Sequence, residues 1–318
     1  MCDFTVITPV YNGEKYLRET INSVLANFES NLSFEYIIIN DGSTDLTRDI
    51  LEEFSQHTRV RIFNIPNGGE AAAVNYGLRY ATGKYILVVN SDDPLISSEL
   101  FSQSFSVMEN NLNIVVVYPD WNIISDQNEI IEIKKLPEFN KEILIGEFQC
   151  LPGPGAVFRR DAGLSVGGRN TNFRFVSDYD FWLRMSLKGD FFHIPSVLAQ
   201  WRQHTQSTSI NNRGLEMGLE RIQVMEEFLN VANLDNVLTR KAIAHAYYHA
   251  ALLAYFSKIV PGRSWMIKAF KLRKWWIENS DIRIVLFCLF LPASRFLIPI
   301  LNRTPLINSP IKKIKKAD

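Results

Sequence analysis

The chain has 318 residues, 47% of them hydrophobic, enough apolar material for a substantial core, which excludes a disordered or collagen-like chain. Acidic and basic side chains balance to a formal net charge of +0, so no overall field calls for nucleic acid as a partner. The balance hides an asymmetry: basic residues from Lys258 to Lys316 are opposed only by Glu278, Asp281 and Asp318, so the tail is basic and the body acidic.

Cys2, Cys150 and Cys288 stand far apart and form no CxxC pair, which argues against a disulfide framework and a thiolate zinc site. No charged segment followed by a long apolar run opens the chain, so no signal peptide is read and a cytoplasmic location is expected.

Short β-branched or aromatic runs at Phe4 to Thr8, Tyr36 to Ile39, Val60 to Ile65 and Tyr85 to Val89 predict strands separated by helices. Leu46, Ile50 and Phe54 suggest the apolar face of one such helix, entered through Ser43-Thr44-Asp45. Alternation of this kind predicts an α/β fold, a Rossmann-like, mostly parallel sheet flanked by helices. In such sheets ligands bind where the strands end at their carboxyl edge.

After about residue 114 the alternation stops, although Ile114 to Tyr118 and Ile123 to Ile133 still look like strands. From Arg213 long helical patterns take over, broken at Pro261-Gly262 and Pro292. This predicts a catalytic domain over 1–212, with a nucleotide-binding half (1–113) and an acceptor half (114–212), and a helical C-terminal extension with a basic tail over 213–318.

The residues after each strand carry the chemistry. Thr8-Pro9-Val10-Tyr11-Asn12-Gly13-Glu14 forms a loop in which Tyr11 can stack on a planar base; an ordinary turn with a packed tyrosine explains the same residues. In Asn40-Asp41-Gly42-Ser43-Thr44-Asp45 the Asp41 carboxylate can accept from a base N–H, and the run also suits a helix cap. Asn67-Gly68-Gly69 leads into Ala71, Ala72, Ala73, Asn75 and Gly77, small residues that allow close approach to a ligand or to the sheet. Asn90-Ser91-Asp92-Asp93-Pro94 brings two carboxylates to the mouth of a strand, where hard oxygen ligands suit Mn2+ or Mg2+; the alternative is a solvated turn.

In their order and spacing these four motifs resemble family 2 glycosyltransferases, over roughly residues 4–210. The resemblance implies the A-type glycosyltransferase fold and inverting, metal-dependent transfer of a sugar from a nucleotide diphosphate donor to an acceptor hydroxyl. It implies a donor site built from Pro9, Tyr11, Glu14, Asp41, Asn67, Gly69, Asn75, Asn90, Ser91 and Asp92. Pro9, Tyr11, Glu14 and Asp41 would hold the nucleoside, and Asp92 and Asp93 would engage ribose, diphosphate and the metal. Asn90 stands where the family usually has an acid, so it brings no charge to a cation.

Arg174-Phe175-Val176-Ser177-Asp178-Tyr179-Asp180 opens an amphipathic helix and resembles the family's catalytic element, with Ser177 in place of the usual acid; by that resemblance Asp178 is the general base. Helix N-termini favour Asp for structural reasons as well. Pro152 to Arg160 resembles an acceptor-side strand. Trp201-Arg202-Gln203-His204, with Ser207 and Ser209, resembles a tail element in which Arg202 or His204 contacts diphosphate or metal; a hydrogen-bonded surface histidine is the plainer reading of His204.

The family favours a UDP-sugar donor, with a saccharide or lipid-linked acceptor, in cell-surface polysaccharide or glycolipid synthesis. Ile284 to Leu291 is apolar but shorter than the roughly 20 residues a bilayer span needs, so no transmembrane helix is read and single transfer is favoured over processive synthesis. With Lys312-Lys313-Ile314-Lys315-Lys316, that segment suits either a peripheral contact with the inner face of a membrane or a helical cap with a solvated end. A non-catalytic nucleotide-sugar binding protein is the competing function.

Overall fold

The computed structural model describes residues 2–27, 31–204, 214–256 and 262–272. The N-terminal part alternates strictly: β1 (Phe4–Val10), α1 (Leu17–Ala26), β2 (Phe34–Asp41), α2 (Thr47–Glu53), β3 (Val60–Ile65), α3 (Glu70–Tyr80), β4 (Tyr85–Val88) and α4 (Glu99–Asn110). Then come β5 (Ile114–Ile124), β6 (Ile130–Lys134), a π-helical turn (Glu142–Gly146), β7 (Val157–Arg159), α5 (Arg160–Ser165), α6 (Ser177–Met185) and β8 (Asp190–Arg202). Three helices follow, α7 (Gly214–Val231), α8 (Asn236–Phe256) and α9 (Gly262–Leu272).

The strands form one sheet in the order β3-β2-β1-β4-β7-β5-β6, with β8 also paired to β5. β1 to β4 are mutually parallel, and β7 runs antiparallel between β4 and β5. The expected α/β class holds, with a helical C-terminal region. The reversal at β7 joins β5, β6 and β8 to the same sheet.

Side chains alternate across the strands and both faces are covered. Phe4, Val6, Tyr36, Ile38 and Leu87 enter one core, whereas Ile7, Ile37, Ile39 and Ile86 enter the other. α3 lies close on the second face because Gly77 has no side chain: a Cβ there would stand 2.6 Å from Ile7 Cγ2. The small residues of this helix thus serve packing. α2 differs in detail from the sequence reading, starting at Thr47, with Asp45 Oδ1 accepting the Thr47 N–H at 3.0 Å. Leu46 is 61% exposed, and Thr47, Ile50 and Leu51 form the buried face, since the helix begins later than the capping-type run suggested.

Helices α7 and α8 share a core with the sheet region. Val224, Met225 and Phe228 of α7 and Ala242 and Ala246 of α8 belong to the same cluster as Phe158, Phe181 and Trp182. No helix among the described residues is long and apolar enough to cross a membrane. Ser207, Ser209, Ile284 to Leu291, Cys288 and the lysine cluster at 312–316 lie outside the described residues.

Candidate active site

Parallel register carries the ends of β1, β2 and β3 to one edge, with Val10 beside Asn40 and Asp41 beside Ile65. The loops there are tied to each other by side chains. Ser43 Oγ accepts the Asn12 N–H at 2.9 Å, Thr47 Oγ1 the Gly13 N–H at 2.8 Å and Asp45 the Glu14 N–H at 3.0 Å, while Glu14 Oε2 accepts the Leu46 N–H at 3.1 Å. Pro9 is buried in β1, and Tyr11 projects with 53% of its surface exposed, open to a stacking partner.

Asp41 is 2% exposed. Its two oxygens accept the Gly68 and Gly69 N–H groups at 2.7 and 2.8 Å, and Asn67 Nδ2 donates to its carbonyl at 2.9 Å. The carboxylate therefore anchors the turn into α3 and has only its remaining lone pairs for a ligand. Gly69 needs its lack of a side chain at φ +85 to make that turn. Asn75 clasps a distant loop with both ends of its amide: Nδ2 donates to Arg169 O at 2.7 Å, and Oδ1 accepts the Arg169 N–H at 2.7 Å.

The two acids after β4 are not equivalent. Asp93 is 5% exposed, its Oδ1 accepting the Arg202 N–H at 2.8 Å and its Oδ2 accepting from Asn90 Nδ2 at 3.0 Å. Burial, and then the neighbouring Asp92 charge, push its pKa well above the usual carboxylate range. Asp92 instead meets His204, with Nε2 2.8 Å from Oδ2. Of the acids expected to share one role, Asp93 accepts from the chain's own donors with both oxygens, whereas Asp92 meets the His204 ring. The geometry also accounts for Asn90, because an acid at that position would set a second carboxylate against Asp93, whereas the amide donates to it.

Arg202 was expected to reach a diphosphate. It is 1% exposed and its guanidinium donates to Asp92 O at 2.9 Å, Asn128 Oδ1 at 2.6 Å and Glu19 Oε2 at 2.9 Å, so it fastens the loop rather than facing a ligand. Tyr16 lies under it, 4.6 Å from Cζ to the ring, and also 5.2 Å from the His204 ring.

A cavity of about 440 Å³ adjoins this edge. Asn90, Glu70 and Asn75 line one side, and Ser177 and Asp178 line another. Asp178 stands in the first turn of α6 and lines the cavity; it is exposed to solvent, although protein packs densely around it. Burial raises its carboxyl above the usual range, the Arg169 guanidinium counteracts this, and Glu70 adds to it. Asp180, two residues on, bonds to Arg184 Nε at 3.0 Å in an i,i+4 pair and is spoken for. Burial likewise pushes the Cys150 thiol well up, with the Asp178 charge next in effect.

Sequence reasoning gave several residues of the cavity wall no such role. Trp121 of β5 and Trp201 of β8 meet edge to face at 5.9 Å. Arg169 and Arg174 come from the loop before α6, and Met217 and Arg221 from α7. Arg169 directly follows the positive-φ pair Gly167-Gly168, but nothing local distinguishes Arg221 from the other basic residues of the C-terminal region.

The sheet order together with comparison to known proteins places the chain among glycosyltransferases. The model of "Glycosyl transferase family 2" matches residues 5–162, and the chain belongs to that family. An uncharacterized glycosyltransferase of Rickettsia typhi is 25% identical over 90% of this chain and 88% of its own length. The hyaluronan synthase of Pasteurella multocida is 29% identical over 67% of this chain, which spans only 22% of that longer protein. S. aureus TarS 1–349 in complex with UDP-GlcNAc has the same fold, with a TM-score of 0.66 and 17% identity over 85% of this chain and 81% of that one.

Proposed function

We propose that this glycosyltransferase acts with inversion, moving a sugar from a UDP-sugar to a hydroxyl of a saccharide or lipid-linked acceptor, with Asp178 as general base. One observation carries this reading: Asp178 opens into the same cavity as Asn90, at the end of the strand that presents Asp92. The acceptor hydroxyl would enter between the tryptophans and Asp178. As its oxygen attacks the anomeric carbon in line with the departing diphosphate, Asp178 takes its proton; the acceptor–carbon bond forms as the carbon–diphosphate bond breaks. A raised carboxyl pKa makes Asp178 a stronger base once ionised.

Asp92 and His204 suit Mn2+ or Mg2+ as a carboxylate and an imidazole brought together, with diphosphate oxygens completing the shell. Such an ion would supply charge stabilisation to the leaving diphosphate. Asp93 would hold the loop instead of the ion. The donor half would be 1–113, the acceptor half 114–212 and the extension 213–318. The basic end of the extension would bring the enzyme to the inner, cytoplasmic face of a membrane, suiting polysaccharide or glycolipid synthesis.

Thermal shift with UDP, GDP and UDP-GlcNAc, with and without manganese, tests the donor site. A metal-dependent shift with UDP, followed by UDP release and an inverted anomer in the product, is expected. Donor binding with no release under any acceptor would favour the non-catalytic binding protein, the reading that Asn90 and Ser177 in place of acids supports.

A further inference from the structure

The cavity wall carries a cation that makes no ion pair among the described residues. Arg169 pairs with Glu70, Arg184 with Asp180 and Arg202 with Glu19. Arg221, on α7, has no carboxylate within 4.0 Å and no hydrogen-bond partner among the described residues, and its Nε is buried without one. Its contact is with the Phe148 ring, 5.4 Å from Cζ. A half-buried guanidinium whose Nε is enclosed without an acceptor is costly, so its retention in the wall of an open cavity points to a partner that arrives from outside.

The surroundings sharpen this. Burial pulls the Arg221 guanidinium below the ordinary arginine value despite nearby Tyr179, Asp178 and Cys150. His249, across Phe148, is held neutral, its pKa lowered to about 3 by burial and then by Arg221 itself. Arg174 lines the same cavity and makes no ion pair either among the described residues; its Cζ lies 5.5 Å from the Phe175 ring. Asp92 and His204, the residues fitted to a diphosphate, do not line this cavity, so the free positive charge sits at the end occupied by Asp178.

Resting on the reading of Asp178 as the base, we propose that Arg221, assisted by Arg174, binds a carboxylate or phosphate group carried by the sugar substrate, so that the enzyme selects an anionic saccharide. A planar guanidinium matches either group in a two-pronged hydrogen bond. The group belongs either to the acceptor or to the sugar of the donor, and the two sources are separable.

The test uses the full chain with manganese, by isothermal titration. UDP alone is titrated first. For the acceptor, methyl glucuronide is compared with methyl glucoside, and glucose 6-phosphate with glucose, at saturating UDP; for the donor, UDP-glucuronate is compared with UDP-glucose. A preference of about tenfold or more for the anionic member is expected in one arm, the scale of one charge-assisted pair. It should vanish in Arg221→Gln, be partly kept in Arg221→Lys and leave UDP affinity unchanged; Arg174→Gln, with a weaker effect, serves if the first variant is unstable. Equal affinities in both arms with UDP binding intact, or a preference that survives Arg221→Gln, would overturn the proposal alone. Failure of the wild-type protein to bind UDP would overturn the donor-site reading with it.

Discussion

Glu220 accepts the backbone N–H of Phe175 at 2.7 Å with one carboxylate oxygen and that of Arg174 at 2.9 Å with the other. A side chain from α7 thereby fixes the segment that enters α6 and sets where Asp178 stands. The C-terminal helices thus position the segment that carries the proposed base, which their place beyond the matched family region does not suggest.

Glu220→Ala should leave two backbone donors without their partner and cost about 1–3 kcal/mol, the range for charged hydrogen bonds in partly exposed settings. Turnover should fall while UDP affinity stays near wild type, because the donor loops are tied elsewhere. Urea unfolding and UDP titration check both halves; an unchanged turnover would remove Glu220 from this role.

Asp178→Asn should keep UDP affinity and lose roughly 10²- to 10⁴-fold in transfer, the usual contribution of a positioned base. Activity needs the ionised carboxylate, so it is lost as pH falls through the Asp178 pKa, and since burial raises that pKa the acid limb should lie above the ordinary carboxylate range. Arg169 opposes the shift, so Arg169→Gln should move the limb to higher pH. A limb moving to lower pH would contradict the assignment.

Asp92→Ala and His204→Ala should each weaken the manganese-dependent part of UDP binding with little change in melting temperature. Asp93→Ala should do the reverse, since it strips partners from Asn90 and from the Arg202 N–H, and lower stability by about 1–3 kcal/mol. Metal titrations at fixed UDP distinguish the two classes.

Gly168→Ala should loosen the clasp between α3 and the loop before α6. Its φ is +72, and a Cβ would stand 2.3 Å from Asn75 Oδ1, the atom that accepts the Arg169 N–H. Strain at such a position costs about 1–3 kcal/mol, and the displaced Arg169 should carry a fall in activity with it. Thermal melts and UDP release report the two effects separately.

Much of the fold and the outline of the site were legible in the sequence, because they depend on local regularities. Alternating apolar residues such as Ile37 and Ile39 against Tyr36 and Ile38 define strands buried on two faces, and the motif-bearing loops follow directly where those strands end. Tertiary structure decided which atoms of those loops remain for a ligand. Asp92 and Asp93 are adjacent and chemically identical, yet Arg202, more than a hundred positions away, draws one inward and His204 meets the other. Glu220 and Arg221 are consecutive on α7 yet meet different partners, the segment before α6 and the cavity beside Phe148, once that helix is docked. Local pattern reports the period of a segment, whereas the direction in which a polar side chain is satisfied depends on partners that only the folded chain brings within 3 Å or so.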